Sequence, residues 1–297
     1  MLNIILNENA AGKTAGKKFE AVAKIFESHK AEYRVYRTEY RRHATEIAAK
    51  LALSGADNVV VAGGDGTLNE AVAGLFEVLG EQCLGEVAVG ILPLGTGNDF
   101  VRSAGLPTDA EEAAKIILAG STRLVDVADV GGVKMVCFSN AGIDADVVDM
   151  CNREKHKKTF SYAKNAIKCI LRGTTYDFTV RYDGKEESFS GIIASVVNGK
   201  SMASGMNYAP SAKVDDGLLD LVAVEKAPRL KLLKTLWKLA TNRPLNKSDK
   251  VRYAAAKRFE ISAGTTVVDI DGELYTGLDY TAECLGKCLK IYAKGDD

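Results

Sequence analysis

The residues best suited to chemistry lie in two glycine-rich turns, each of which follows a short apolar run. Residues 63–70 read GGDGTLNE after three consecutive valines, and residues 92–100 read LPLGTGNDF after another apolar segment. Glycine lets the backbone approach a ligand closely, and a helix that starts at such a turn offers free N–H groups and a positive dipole end. Both turns are therefore suited to bind phosphate groups.

Asp65 lies inside the first turn, where a carboxylate would repel phosphate unless a metal ion lay between them. This makes Asp65 a candidate for a Mg²⁺-mediated contact with nucleotide phosphates. The alternative is a tight strand–helix connection in which Asp65 or Thr67 caps the helix. Asn98 and Asp99 have the same alternative at the second turn.

Two better-known phosphate motifs do not fit the sequence. Residues 7–14 read NENAAGKT and end like a P-loop, but Asn7 stands where that loop needs glycine. The dinucleotide pattern G-x-G-x-x-G also fails, because Asn69 and Phe100 stand where its last glycine should be.

The elements that must position the two turns alternate between strand and helix patterns over the first 120 residues. Strand patterns cover residues 2–6, 33–37, 58–62 and 87–92, and helix patterns cover residues 16–29, 44–54, 68–79 and 109–118. Repeated strand–helix–strand units predict a parallel sheet covered by helices. Turns after successive strands of such a sheet lie side by side at its carboxyl edge, where open α/β sheets bind ligands. The pair of turns therefore favours a nucleotide site.

A second region begins near residue 121, where strand patterns follow one another with turn signals between many of them. They cover residues 123–130, 134–141, 176–182, 187–197, 218–224, 258–262, 266–270 and 288–292, with helix patterns at 160–172 and 229–241. This succession of strand patterns and turn signals predicts an antiparallel β-sandwich. We therefore expect an α/β nucleotide-binding domain over residues 1–122 and a mainly antiparallel β-sandwich domain over residues 123–287. Residues 288–297 are expected to return to the first domain.

The overall composition excludes several classes of protein. Of 297 residues, 46% are hydrophobic, and 39 basic residues balance 39 acidic ones. A near-neutral chain is not expected to bind nucleic acid. Six scattered cysteines and three histidines predict buried free thiols rather than a zinc site. No apolar run is long enough for a membrane span, and the first residues resemble a strand rather than a signal peptide, so we expect a cytoplasmic protein.

Four sequence blocks in this order resemble the diacylglycerol kinase catalytic family, and within it the soluble bacterial lipid kinases. They are the turns at 63–70 and 92–100, residues 210–220 with PSA followed by DDGLLD, and DGE at 271–273. The first block is also shared with NAD kinases and phosphofructokinases, whereas the four together are much more specific. The resemblance covers nearly the whole chain. It implies an NAD-kinase-like or phosphofructokinase-like first domain and a β-sandwich that receives a lipid acceptor.

The resemblance also implies the residues of an ATP-dependent lipid kinase site. Asp271 and Glu273 would be the carboxylates at the acceptor hydroxyl, with Glu273 slightly favoured as general base, and Asp65 would act through Mg²⁺. Asp216 would hold a second, structural Mg²⁺ together with backbone carbonyls near Lys213 and Leu218. ATP would lie between the domains against Asn7, Gly12, Lys13, Thr38, Gly64, Asp65, Gly66, Thr67, Leu68, Asn69, Glu70 and Thr96. Taken alone, residues 271–273 and 215–217 would be interpreted as a hairpin turn and a solvated turn.

Basic residues are concentrated in two segments of the second region. Residues 229–239 read RLKLLKTLWKL, a basic amphipathic pattern with the only tryptophan. Lysine and arginine outnumber acidic residues eleven to one over residues 226–258 and seven to one over residues 153–172. Such segments are attracted to anionic lipids, by about 1 kcal/mol per basic residue near the surface. We therefore expect peripheral association with the inner face of a membrane, although the helix could instead pack its leucines on the β domain.

Three functions remain open at this point. The first is a diacylglycerol kinase that makes phosphatidic acid from ATP, and the second is a kinase of another lipid alcohol, such as a sphingoid base or ceramide. The third is a nucleotide-dependent lipid-binding regulator without turnover, which the presence of both Asp271 and Glu273 disfavours. An NAD-kinase-like enzyme would not explain the later blocks. The resemblance further implies a homodimer.

Overall fold

The computed structural model of the chain describes residues 1–83, 86–153, 161–243, 245, 247–264 and 267–295. The helices of this part are α1 (Ala10–Lys13), α2 (Ala15–Ser28), α3 (His43–Leu53), α4 (Asp65–Leu79), α5 (Asp99–Ser103), α6 (Ala110–Ala119), α7 (Ile143–Arg153), α8 (Ser161–Arg172) and α9 (Arg229–Ala240). The strands are β1 (Leu2–Leu6), β2 (Tyr33–Arg37), β3 (Asn58–Gly63), β4 (Ala88–Pro93), β5 (Thr122–Val125), β6 (Ala128–Val130), β7 (Val133–Met135), β8 (Phe138–Gly142), β9 (Tyr176–Tyr182), β10 (Lys185–Val197), β11 (Ser201–Met202), β12 (Met206–Asn207), β13 (Leu219–Glu225), β14 (Val251–Ala256), β15 (Arg258–Ala263), β16 (Val267–Ile270), β17 (Glu273–Thr276), β18 (Thr281–Cys284) and β19 (Leu289–Tyr292).

The first sheet has the strand order β2-β1-β3-β4-β19-β5 and is parallel except for the pair of β19 with β5. Strands β3 and β4 are buried along their whole length. Their apolar runs suit strands that are covered on both faces. Helices α3 and α4 pack on one face, and α2 and α6 pack on the other. The C-terminal strand β19 lies between β4 and β5, so the end of the described chain belongs to this sheet.

The second sheet is antiparallel and follows the path β17-β16-β8-β10-β9-β15-β18-β6-β7, with β13 and β14 branching from β10. The long strand β10 shifts register between Gly191 and Ile193. Its first half pairs with β9, whereas its second half pairs with β8 and β13. A strand that changes partners in this way lets the sheet fold over one apolar core. The predicted fold class, an α/β domain followed by an antiparallel β-sandwich, is confirmed.

Helices α7, α8 and α9 cover β10 and β13 on the outside of the second unit. Their apolar side chains form a separate cluster with those two strands, to which Val147, Ile170 and Leu232 contribute. None of the helices in the described ranges is long and apolar enough to cross a bilayer. The three helices therefore act as a cover on the sandwich.

The structure differs from the predicted elements mainly where the chain changes sheets. The strand predicted over residues 123–130 is divided, because the chain leaves the first sheet after Val125 and joins the second sheet at Ala128. The strand predicted over residues 134–141 is likewise divided into β7 and β8. Helix α7 was not predicted, because aspartates interrupt its apolar pattern. Strands β14, β17 and β18 were also missed, because they are only partly buried and their apolar patterns are weak. The first residues of the predicted helix at 160–172 and strand at 266–270 lie outside the described residues.

Candidate active site

The two glycine-rich turns meet at the carboxyl edge of the first sheet. Strand β3 leads through Gly64 into α4, and the neighbouring β4 leads into the second turn. A Cβ on Gly95 would lie 2.4 Å from the Cα of Gly64, so only glycine lets the two backbones come this close. Gly63 is similarly confined, because a Cβ there would lie 2.7 Å from the Thr67 side chain. The two turns therefore present adjoining backbone at the N-terminus of α4.

Neither Asp65 nor Thr67 caps helix α4. The N-cap residue is Gly64, and no side-chain hydrogen bond closes this helix end. Thr67 instead accepts a hydrogen bond at Oγ1 from Asn7 Nδ2 at 3.0 Å, which joins the end of β1 to the first turn. The positive end of the α4 dipole therefore remains available to an anionic ligand.

Asn98 holds the second turn in shape. It has a left-handed backbone with φ of 51°, its Oδ1 accepts the Gly95 N–H at 3.1 Å, and its Nδ2 donates to the Gly95 carbonyl at 3.2 Å. Asp99 accepts hydrogen bonds from Ser201 Oγ at 2.7 Å and from the Ser204 N–H at 2.9 Å. Asn98 thus shapes the turn, and Asp99 ties it to the second unit.

Asp65 is the carboxylate at the start of α4. Its Oδ1 accepts a hydrogen bond from the Phe100 N–H at 3.0 Å. Burial raises the pKa of Asp65, and neighbouring Asp99 raises it further, while backbone N–H groups oppose the shift. A divalent cation would offset the cost of this buried charge, so the carboxylate oxygens here fit Mg²⁺.

Asp271 approaches the same region from the hairpin between β16 and β17. Its carboxylate accepts the N–H groups of Val136 at 2.8 Å, Cys137 at 3.0 Å and Phe138 at 2.9 Å. Burial nevertheless raises the pKa of Asp271 to about 7, against the effect of these three donors. Three backbone donors fix the carboxylate in one orientation, so Asp271 is held rigidly against the connection between β7 and β8.

Two polar residues at the end of the first motif contact other elements of the protein. With its amide oriented to donate, the Asn69 nitrogen lies 3.3 Å from Asp271 Oδ2. The Glu70 carboxylate accepts the N–H of Arg42 at 3.0 Å and that of Ala44 at 3.3 Å. Glu70 therefore caps α3, and its carboxylate is already engaged by protein donors.

Glu273 follows in the same hairpin and is bound by two arginines of the first unit. Arg41 contacts Glu273 Oε1 through Nε at 2.9 Å and Nη2 at 2.8 Å. Arg42 Nη2 lies 3.6 Å from Glu273 Oε2. Neither arginine was singled out in the sequence, because no local motif surrounds them and their partner is more than 200 positions away.

A cleft of about 1230 Å³ lies between the turns of the first unit and the hairpin of the second. The predicted site residues that line it are Asn7, Gly64, Gly66, Thr67, Asn69, Glu70, Thr96, Asp271 and Glu273. Of the residues predicted to contact ATP, Gly12, Lys13, Thr38, Asp65 and Leu68 do not line it. The side chain of Leu68 is 1% exposed and packs in the core of the first unit, so only its backbone could serve a ligand.

The predicted structural Mg²⁺ site lies in the turn before β13. Asp216 accepts the N–H of Leu218 at 3.1 Å, and the fully buried Asp126 accepts the N–H of Gly217 at 2.8 Å. Asp126 was not singled out in the sequence. Burial raises its pKa, and nearby Asp216 adds to the increase. Burial and then Asp216 also raise the pKa of Asp220 to about 6.

The charge of Asp216 raises the pKa of Asp126 and of Asp220, and a cation placed near these carboxyl groups would offset that repulsion. In the ranges that the structure describes, no three Asp, Glu, His or Cys side chains converge closely enough to hold a metal on their own. Backbone carbonyls, as predicted near Lys213 and Leu218, would therefore have to complete a site at Asp216. This set of oxygen donors fits Mg²⁺.

An apolar cavity of about 80 Å³ lies in the second unit beneath α7, α8 and α9. Its walls come from these helices and from β10 and β13, and include Ile170, Ile193, Leu232 and Leu236. Asp144 of α7 reaches one end of it. A volume of this size holds a few methylene groups.

Asp144, which lines this cavity, belongs to a cluster of three buried polar side chains that also contains Asn140 and Asp269. Asp144 is hydrogen-bonded to Asp269, and Asn140 Nδ2 donates to Asp144 Oδ2 at 2.8 Å. The Oδ1 atoms of all three side chains have no partner among the described residues. Burial, followed by the charge of Asp144, raises the pKa of Asp269 well above its ordinary value. The cluster thus contains unpaired acceptor oxygens that are buried, and Asp269 is only two residues along the chain from Asp271.

Comparison with known proteins identifies the family. The model described as the diacylglycerol kinase catalytic domain matches residues 1–130, and the model described as the YegS C-terminal NAD kinase beta sandwich-like domain matches residues 138–293. A diacylglycerol kinase of Staphylococcus saprophyticus subsp. saprophyticus is 32% identical over 238 residues, which cover 77% of this chain and 74% of that protein. A protein of Escherichia fergusonii named "Probable lipid kinase YegS" is 30% identical over 246 residues, which cover 80% of this chain and 78% of that protein.

Solved structures support the same fold. The crystal structure of a diacylglycerol kinase from Bacillus anthracis str. Sterne superposes with a TM-score of 0.79 over 99% of this chain and 96% of that chain. Its sequence identity is 23%, so this likeness concerns the fold alone.

The family resemblance of the four sequence blocks is confirmed by the family models and relatives described above. The chain belongs to the diacylglycerol kinase catalytic family and is a lipid-alcohol kinase that uses ATP as its co-substrate.

Proposed function

We propose that this kinase transfers the γ-phosphate of ATP to the hydroxyl group of diacylglycerol, giving phosphatidic acid and ADP. The observation that carries the proposal is the apolar cavity lined by Asp144, which is joined to Asp269 and Asn140 in one buried polar cluster. A hydrocarbon chain in the cavity would bring a lipid hydroxyl to free polar acceptors beside the cleft. The relatives named diacylglycerol kinase favour this acceptor over a sphingoid base or ceramide.

The nucleotide phosphates would lie on the backbone of the two glycine-rich turns, at the N-terminus of α4. Mg²⁺, when bound, neutralises the charge that develops on the transferred phosphoryl group. Asp65 would hold this ion, because its carboxylate is the acidic group at the helix start and its pKa is raised by burial. A second Mg²⁺ at Asp216 would stabilise the turn before β13.

Glu273 is the better placed of the two candidate general bases. Both oxygens of Asp271 already accept backbone N–H groups, so Asp271 would serve to position the hairpin that carries Glu273. Glu273 is bound by two exposed arginine side chains, which can exchange it for another partner, and by the Tyr275 hydroxyl, which donates to Oε2 at 3.4 Å. In the reaction, the lipid oxygen attacks the γ-phosphorus, its proton passes to Glu273, and ADP leaves.

The exposed side of α8 and α9 supports peripheral binding to the inner face of a membrane. Leu230 is 83% exposed, Leu171 51% and Trp237 47%, among the basic residues of these helices. Leu232 and Leu239 of α9 are buried against the second unit. Helix α9 therefore packs on the second unit through one face and exposes the other face to solvent.

The family resemblance also leads us to propose a homodimer, which analytical ultracentrifugation would test.

An acceptor panel tests the proposed reaction. Purified protein with labelled ATP and Mg²⁺ would be assayed in mixed micelles that contain diacylglycerol, monoacylglycerol, ceramide or a sphingoid base. We expect the highest kcat/KM with diacylglycerol. A clear preference for another lipid alcohol would reject diacylglycerol as the substrate while leaving lipid kinase activity intact.

Variants of the proposed site residues test the mechanism. Asp65→Asn and Glu273→Gln should each lower kcat by about 10²-fold or more, because one holds the phosphate-bound cation and the other accepts the proton. Glu260→Gln, which removes an exposed carboxylate of β15 away from the cleft, is the matched control and should leave kcat unchanged. Near wild-type turnover of Asp65→Asn or Glu273→Gln would rule out the assigned role.

A further inference from the structure

The loop between β2 and α3 reaches across the cleft to Glu273. We define residues 38–42 as the arginine loop, because Arg41 and Arg42 stand at its end. The two guanidinium groups approach opposite oxygens of one carboxylate, Arg41 on Oε1 and Arg42 on Oε2. The arginine side chains are 71% and 64% exposed, whereas that of Glu273 is 23% exposed. The loop thus ties the nucleotide-binding unit to the hairpin of the proposed base.

The backbone of the arginine loop is fixed by other parts of the nucleotide-binding unit. Arg42 has a left-handed backbone with φ of 66°, which is unfavourable for a side chain of this size. The Glu70 carboxylate binds its N–H at 3.0 Å. Tyr40 and His43 stack with their ring centroids 4.3 Å apart, which braces the turn on its other side. Because the strained backbone of the arginine loop is held from two sides, we infer that the loop serves to place both guanidinium groups at the cleft.

The charge of the cleft walls indicates which ligand the arginines suit. In the described part of the cleft, the cationic lining residues are Arg41, Arg42 and Lys134. Lys134 is already paired with Asp129 of its own hairpin and lies 5.4 Å from the centroid of the Phe76 ring. The arginine loop therefore supplies the cations that a polyphosphate entering the cleft can recruit. Arginine binds phosphate oxygens in a forked, two-point geometry that suits this role.

We propose that Arg41 and Arg42 bind the polyphosphate of the nucleotide, and that their ion pairs with Glu273 break when they do so. A single partly exposed carboxylate holds an arginine weakly, because water competes for both charges. A nucleotide polyphosphate carries more negative charge and more acceptor oxygens than one carboxylate, so it attracts the two guanidinium groups more strongly. In the protein without nucleotide, both arginines form ion pairs with Glu273. When nucleotide binds, Glu273 is released toward the acceptor hydroxyl.

This exchange would make the base available only when a phosphoryl donor is in place. That catalytic consequence rests on the proposed function of Glu273. The binding role of the arginines does not, because it concerns only the nucleotide. Nucleotide affinity measured without lipid therefore tests the inference separately from the identity of the acceptor and of the base.

The first experiment is isothermal titration of ADP, ATP and AMP into full-length protein with Mg²⁺. Arg41→Gln and Arg42→Gln should each weaken ATP binding by about tenfold, because each loses charge-assisted hydrogen bonds to phosphate, and should weaken AMP binding much less. Arg181→Gln is the matched control, because it breaks an exposed arginine–glutamate pair of β9 and β10 outside the cleft. An equal loss of ATP and AMP affinity in the loop variants would show that the arginines only support the cleft, and would overturn the inference.

The second experiment tests the exchange itself. Glu273→Gln removes the competing partner, so ATP should bind several-fold more tightly than to the wild type. The same substitution in an Arg41→Gln/Arg42→Gln background should leave ATP affinity unchanged, because no arginine remains to be released. If the gain persists in that background, Glu273 merely repels the nucleotide, and the exchange is wrong. If Glu273→Gln weakens ATP binding, the ion pairs are structural, and the exchange is also wrong.

Discussion

At the residue scale, the proposed chemistry of this kinase involves carboxyl groups that are costly to ionise. Burial raises the pKa of Asp65 at the start of α4, of Asp271 in the hairpin that lines the cleft, and of Asp269 two residues before it. Each of these groups is stabilised by positive charge or by hydrogen-bond donors brought close to it. A bound cation or hydrogen-bond donor would supply such a partner, so ligand binding and ionisation of these groups would be coupled.

Asp220 offers a test of this coupling outside the cleft. It is 7% exposed, and its pKa is raised to about 6, first by burial and then by Asp216. The unfolded-state pKa is about 3.9, so the folded protein binds this proton more tightly and loses stability as pH rises from about 4 to about 6. Without Mg²⁺, the wild type should lose about 2 kcal/mol of unfolding free energy relative to Asp220→Asn over this interval.

Urea unfolding at pH 4 and pH 7 would measure the effect for both proteins. Asp183→Asn is a suitable control, because Asp183 lies exposed in the turn between β9 and β10 with a left-handed backbone that asparagine tolerates. Added Mg²⁺ should reduce the difference at pH 7 if Asp216 binds it. A stability difference between the wild type and Asp220→Asn that is independent of pH would contradict the assignment.

The sequence indicated some of these residues and missed others for a physical reason. Asp65, Asp271 and Glu273 stand in short motifs, where glycine neighbours mark a special backbone. Arg41 and Asp126 have no such neighbours, and their roles arise from contacts with residues more than 90 positions away. Contacts of this kind depend on how the two units fold together, which local sequence does not reveal.

At the scale of elements, the parallel strands were the easiest to predict, and the short antiparallel ones were the hardest. Strands β1 and β2 begin and end where the sequence predicted, because each is an isolated run between clear turn signals. Helix α7 was missed although it carries Asp144, since its first turn contains two aspartates. The polar end of the apolar cavity therefore could not be anticipated from sequence.

The close approach of the two glycine-rich turns can be tested directly. Gly95→Ala places a methyl group 2.4 Å from the Cα of Gly64 and 2.8 Å from Asn98 Oδ1, so the turns must separate. We expect a loss of about 1–3 kcal/mol in unfolding free energy, as for other overpacked sites. ATP affinity should fall by about tenfold or more, because the phosphate-binding backbone is displaced.

Gly264→Ala is the control for this substitution. Among the described residues, the nearest atom to a Cβ at Gly264 would be the Asp177 nitrogen at 3.9 Å, which is an ordinary contact. Both variants would be compared by thermal unfolding and by ATP titration. If Gly95→Ala bound ATP as tightly as Gly264→Ala, the contact between the turns would have no part in nucleotide binding.

At the scale of the whole molecule, a neutral chain has its charges and apolar groups arranged unevenly. The exposed leucines Leu171 and Leu230 lie at the end of α8 and the start of α9, and a Cβ at Gly173 would lie 3.1 Å from Arg229 Nη2. The two helix ends are therefore adjacent. The same helices form walls of the apolar cavity, so a membrane bound at this corner would deliver lipid close to the cavity.

This arrangement predicts that the corner binds anionic bilayers. The double variant Leu171→Gln/Leu230→Gln should bind phosphatidylglycerol vesicles about tenfold more weakly in sedimentation assays, because two apolar side chains no longer leave water. Its thermal unfolding should be unchanged, since both leucines are exposed. Leu53→Gln, which alters a leucine on α3 that is 74% exposed, should bind vesicles like the wild type. Equal losses of vesicle binding in Leu171→Gln/Leu230→Gln and in Leu53→Gln would indicate nonspecific adhesion. A loss confined to the double variant, together with a lower kcat/KM for lipid and an unchanged ATP affinity, would place lipid entry at this corner.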